Sequence, residues 1–140
     1  MTAPAETALT ASVWPTVGAV CGALAVALGA FGAHGLKSLV ADGRLEPQML
    51  DTFEVAVRYQ MYHALALVAL GVLVGGGRAG AVAGNVAGWA FLAGIVIFSG
   101  MLYAYVFSGV KFFAMIVPIG GVSFIVGWVA LAVALWRQRG

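Results

Sequence analysis

Charge is what this chain has least of. Its 140 residues include seven Lys and Arg and five Asp and Glu. That is 9% charged, against about 25% in a soluble domain. Four stretches carry no charged residue at all: 7–36, 59–77, 79–110 and 112–136. Each is as long as the roughly 20 helical residues that cross a bilayer's hydrocarbon core. A water-soluble fold is therefore excluded, because it has no charge with which to cover its outer faces. The formal charge of +2 is too small for nucleic acid binding. The single cysteine, Cys21, excludes an intramolecular disulfide and reads as a small packing residue. The N-terminal twelve residues hold Glu6 and no Lys or Arg, unlike the basic start of a signal peptide, so no cleavage is expected. Four spans use most of the length, which leaves one membrane domain, residues 1–140, and no space for a soluble catalytic domain.

Several chemistries are missing as well. No carboxylate, Lys or Arg falls inside a span, and such groups are the usual pointers to ion and proton pathways. A coupled pump is therefore disfavoured, while a facilitator for a neutral solute stays open. No Ser-His-Asp or Cys-His arrangement can be assembled, and no glycine-rich phosphate loop follows a strand. Two histidines without a nearby carboxylate or cysteine are a thin ligand set. The expectation is a non-enzyme with no cofactor and no metal.

What the chain does contain is hydropathy, with a mean of +1.04, and glycine, with twenty copies. The expected fold is an all-α integral membrane four-helix bundle. Spans are expected at about 14–34, 59–74, 86–107 and 112–136, with a polar segment over 35–58 that holds seven of the twelve charged residues. Pro15 suits the first turn of span 1, and Asp42-Gly43 reads as a turn. Pro47 suits the first position of a surface helix that leads into span 2, with Asp51 and Glu54 near its positive end. Gly18, Gly22, Gly29 and Gly32 line one face of span 1, where small residues let another membrane helix approach. Gly75 to Gly80, around Arg78, reads as a flexible loop, and Ser108 to Lys111 as a tight connection that makes spans 3 and 4 antiparallel neighbours. Pro118, Gly120 and Gly121 fall inside span 4, where they are expected to kink or loosen the helix.

An even number of spans puts both termini on one side, here side A. Trp14, Trp89 and Trp136 then fall at the side A interface and Tyr59, Tyr62, Tyr103 and Tyr105 near side B, as two aromatic belts. The basic count is three on side A (Arg78, Arg137, Arg139) against four on side B (Lys37, Arg44, Arg58, Lys111), which sets no orientation. Polar side chains gather toward side B. His34 ends span 1 and His63 begins span 2, which places both at similar depth; Tyr59 and Gln60 lie one turn before His63; Ser99 and Tyr103 come from span 3. This cluster is the candidate site. Each member also has a plain packing role: His34 as the C-terminal cap of span 1, and His63, Tyr59 and Gln60 as an interhelical hydrogen-bond cluster.

The same residues carry a family resemblance. Gly29-Ala30-Phe31-Gly32-Ala33-His34-Gly35-Leu36, Tyr59-Gln60-Met61-Tyr62-His63-Ala64-Leu65-Ala66, Phe98-Ser99-Gly100-Met101-Leu102-Tyr103 and Pro118-Ile119-Gly120-Gly121-Val122-Ser123-Phe124 through Gly127-Trp128 resemble, in order, the motifs of domain-of-unknown-function family 423, also called transmembrane-protein-256-like. The likeness runs over about residues 14–136. It implies a small bacterial inner-membrane protein with four helices and no established activity. Bacterial relatives tend to carry more basic residues in the second loop and the tail, which implies that both termini are cytoplasmic. Partners expected are the lipid bilayer and a membrane-protein partner or a second copy of the chain. The leading functional expectation is an accessory or packing subunit of a membrane assembly. Its rivals are a small facilitator, and a lipid- or quinone-binding protein that uses His34 and His63.

Overall fold

The computed structural model describes residues 12–75 and 81–136. The N-terminal residues, the glycine-rich connection around Arg78, and Arg137 and Arg139 lie outside that range. Among the described residues four helices are long and apolar enough to cross a membrane. They are α1 (Trp14–Ala41), α2 (Pro47–Gly75), α3 (Val82–Ser108) and α4 (Lys111–Trp136).

The helix ends follow local chemistry. Pro15 sits in the first turn of α1, where its missing N–H has no intrahelical partner to lose. The α1 helix does not stop at His34. It passes through a π turn over Gly32–Leu36 and continues to Ala41, so His34 caps nothing. It ends at Asp42-Gly43: Gly43 takes φ +68°, and the N–H groups of Gly43 and Arg44 return to the carbonyls of Val40 and Leu39 at 3.0 and 2.8 Å. A left-handed glycine closing the last carbonyls is a common helix stop. Gly109, also at φ +68°, ends α3 in the same way and turns the chain into α4.

The cross-section is a diamond. The closest helix pairs are α1 with α2 and α3 with α4, and α2 with α3 joins them. The α1 and α4 helices are not packed on each other and are the two least covered. The expected glycine face of α1 is the surface that meets α2. Side chains added at Gly18, Gly29 and Gly32 would meet Ala64 and Val68, Val57, and Phe53 respectively, and Gly22 faces Met61 and Ala64. In a bilayer the lipid tails are as apolar as the helices, so such close van der Waals approach is what holds two helices together.

On the other side of the diamond, Gly120 lets the α4 backbone rest on the backbone of Phe98, and Gly94 leaves a seat for the Phe124 ring. The segment Pro118–Gly121 does not interrupt α4, which stays helical from Lys111 to Trp136. The segment also makes a contact: Gly120 is buried against α3, while Pro118 is exposed. Gly121 has only ordinary van der Waals distance to Phe98.

At the side A end Trp14 is buried rather than interfacial. Its ring fills the space above Gly88, meets Trp89 edge-on at 5.4 Å, and donates its indole N–H to Asn85 Oδ1 at 3.0 Å. Trp89 and Trp136 are exposed there, as a belt requires.

Candidate functional site

Two separate polar groups hold the middle of the diamond. The first ties α1, α2 and α3 together. Gln60 Nε2 donates to the Cys21 carbonyl at 2.9 Å, and Tyr103 Oη donates to Gln60 Oε1 at 2.9 Å. The carbonyl accepts only, so the amide nitrogen must face it, and this fixes the orientation of the amide. Beside it Ser99 Oγ donates to the Ala56 carbonyl at 2.8 Å. Ser99 closes a π turn, Ile95–Ser99, and is fully buried. Both carbonyls used here are helix carbonyls that carry a second lone pair beyond their own helical bond.

The second group lies between α2, α3 and α4. The buried His63 ring has its Nδ1 2.8 Å from the Tyr59 carbonyl and its Nε2 3.2 Å from the indole N–H of Trp128. A carbonyl only accepts and an indole only donates, so the partners select the neutral tautomer with the proton on Nδ1. The ring lies flat on Phe124, centroids 3.4 Å apart and planes 8° apart. Tyr59 stacks on Phe98 at 4.7 Å. Ser123 Oγ donates to the Ala90 carbonyl at 2.8 Å and ties α4 to α3 below the aromatic stack.

This arrangement corrects the expected cluster in two respects. First, His34 and His63 are not at one depth. Gly32 faces Phe53 while Gly22 faces Met61 and Ala64, so His63 is level with α1 at least a dozen residues before His34. At 1.5 Å per residue that is about 18 Å. His63 sits at the middle of the bundle, beside Phe124 near the centre of α4, whereas His34 is exposed in its π turn. The two depths differ because α2 is one continuous helix from Pro47 and packs with Phe53, not Tyr59, level with Gly32 of α1. Second, Tyr103 is not a belt residue: its ring turns into the bundle onto Phe53 at 5.0 Å, whereas Tyr59 is partly exposed and lays its ring on Phe98.

Gln60, Ser99 and Tyr103 are brought together, and Tyr59 with His63, as two neighbouring groups rather than one. Phe124 and Trp128, which entered only as motif residues, and Asn85 were not part of the expected cluster. Trp128 and Phe124 are one helical turn apart on α4, a signal that they share a face, but nothing local ties that face to His63. Asn85 is a lone amide in an uncharged run.

Chemically, the two ring nitrogens of His63 are both committed, so it has no lone pair for a metal unless Trp128 withdraws. Among the described residues no three of His, Cys, Asp and Glu come together as a metal site, and every buried polar side-chain atom has a hydrogen-bond partner. Two grooves open toward the surrounding bilayer on opposite seams of the diamond. One, of about 530 Å³, lies between α1 and α3 over Gln60. The other, of about 580 Å³, lies between α2 and α4 over His63.

Comparison with known proteins places the chain. The model of the family described as Protein of unknown function (DUF423) matches residues 28–121. The UPF0382 membrane protein SAB0533 of Staphylococcus aureus (strain bovine RF122 / ET3-1) is 44% identical over 124 residues, 89% of this chain and 95% of the relative. The UPF0382 membrane protein YwdK of Bacillus subtilis (strain 168) is 40% identical over 122 residues, 87% of this chain and 94% of the relative. No solved structure matches.

Proposed function

The chain belongs to the DUF423 family of multi-pass membrane proteins, and we propose that it serves as a non-catalytic accessory subunit of an assembly in the bacterial inner membrane. One observation carries the reading. The α1 helix has two faces of small residues, and only one of them is used within the chain. Gly18, Gly22, Gly29 and Gly32 meet α2, whereas Ala19, Ala23 and Ala30 are exposed. Lipid offers no gain for alanine over a larger apolar side chain, whereas a second helix gains close approach from it. The buried polar atoms of the described residues are all engaged inside the bundle, which supports a structural use over a chemical one. Both termini face the cytoplasm in this proposal, with the tail arginines as retaining charges. A topology reporter fused to the C-terminus tests that orientation.

The test is the mass of the protein extracted mildly from its own membranes. A particle of fixed stoichiometry above the 14.3 kDa of one chain is expected. Ala19→Leu with Ala23→Leu should release it to monomer without lowering the melting point of the bundle. A wild-type monomer, or turnover of a substrate by an isolated monomer, refutes the reading.

A further inference from the structure

We propose that the groove between α1 and α3 is a binding site for a lipid-soluble carbonyl compound of the prenylated quinone type. Its flat head meets Gln60 and Tyr103, and its tail lies along the seam between the two helices. Four features lead to this ligand class. The groove opens sideways between two contacts of α1 with α3, Trp14 over Gly88 at the side A end and Phe31 beside Phe107 at 6.4 Å toward side B, so its occupant enters from the hydrocarbon and not from water. Its walls are apolar, with Leu24, Leu28, Leu92 and Val96 among them. Its 530 Å³ is space for about eighteen methylenes, if each takes roughly the 30 Å³ of a water in liquid.

The polar spot in this groove has unspent capacity. Gln60 uses one of its two amide hydrogens on Cys21, and the oxygen of Tyr103, having donated to Gln60, still has lone pairs to accept with. Both residues line the groove. A neutral carbonyl can take the second Gln60 hydrogen.

Depth decides between lipid classes. Gln60 follows Tyr59, whose ring stacks on Phe98, and Phe98 faces Gly120, one turn to side B of the centre of α4. In a hydrocarbon core of about 30 Å this lies roughly 10 Å below the headgroups. The ester carbonyls of a glycerolipid stay at the interface, whereas a quinone head is apolar enough to enter.

Gly100 is the fourth feature. It lines the groove, and a Cβ built on it meets nothing within 4 Å. A glycine inside a helix carries an entropic cost, and here the packing of its own bundle does not ask for one. Its effect is to keep the groove clear beside Tyr103.

The experiment places the full chain in phosphatidylglycerol nanodiscs with a 2-methyl-1,4-naphthoquinone bearing a short prenyl tail, and separately with the tail hydrocarbon alone. Bound naphthoquinone is read by absorbance after gel filtration, and folding by thermal denaturation. We expect about one quinone per chain, and a loss of roughly tenfold or more in affinity in Gly100→Leu. Gly121→Leu, in the opposite groove, should bind as wild type does. Gly100→Ala, which adds one carbon to open space, keeps the test valid if the leucine variant fails to fold, and it too should weaken binding. Binding unchanged in both Gly100 variants, loss of binding in Gly121→Leu, or equal retention of the bare hydrocarbon overturns the assignment.

Discussion

Replacing Gln60 by leucine should expose how much of the bundle's stability rests on one side chain. Gln60 makes two of the interhelical bonds, to the Cys21 carbonyl on α1 and from Tyr103 on α3. Side-chain hydrogen bonds between membrane helices average about 0.6 kcal/mol and reach about 1.7. Two of them therefore predict a loss of about 1–2 kcal/mol, with about 3.4 as the ceiling. The Cys21 carbonyl keeps its own helical bond and leucine fits the apolar surroundings, while the half-buried Tyr103 hydroxyl loses its acceptor, which moves the loss toward the upper part of that range. Tyr103→Phe removes one bond and should cost about 0.6 kcal/mol by itself. In the Gln60→Leu background the same change should cost almost nothing, since the bond is already gone. Reversible unfolding in mixed micelles measures all four corners of this cycle. Equal cost of Tyr103→Phe in the two backgrounds would refute the bond, and a stabilising Gln60→Leu would refute the tie between α1 and α3.

Other expectations are simpler to read. Gly88→Ala pushes a methyl into the Trp14 ring and should destabilise by about 1–3 kcal/mol through overpacking. Gly100→Ala meets open space and should stabilise by about 0.5–1 kcal/mol from helix propensity alone; the same unfolding assay separates the two, and a reversed order would refute the helix register. Trp128→Phe removes the donor to His63 Nε2, so the nitrogen-15 shift of Nε2 should move while the proton stays on Nδ1; a wild-type spectrum with the proton on Nε2 would overturn the tautomer. His34→Ala, at an exposed position, should leave stability within about 0.5 kcal/mol, and a larger loss would mean that the π turn depends on the imidazole.

Class, helix count and turns were legible in the sequence because their causes are local. Uncharged runs of spanning length, proline at a helix start and glycine at a helix stop act through the chain's own backbone and the bilayer. The glycine face of α1 was legible for the same reason, since helical spacing alone lines up Gly18, Gly22, Gly29 and Gly32. Partnership was not. Whether His63 meets His34 or Trp128, and whether Tyr103 faces lipid or Gln60, depends on the register between helices that are far apart in the chain. The sequence by itself determined that the chain is a four-helix membrane protein with one small-residue seam. Only the tertiary structure decided that the polar residues form two satisfied groups over two bilayer-facing grooves, because helix register is set by close packing across non-local surfaces.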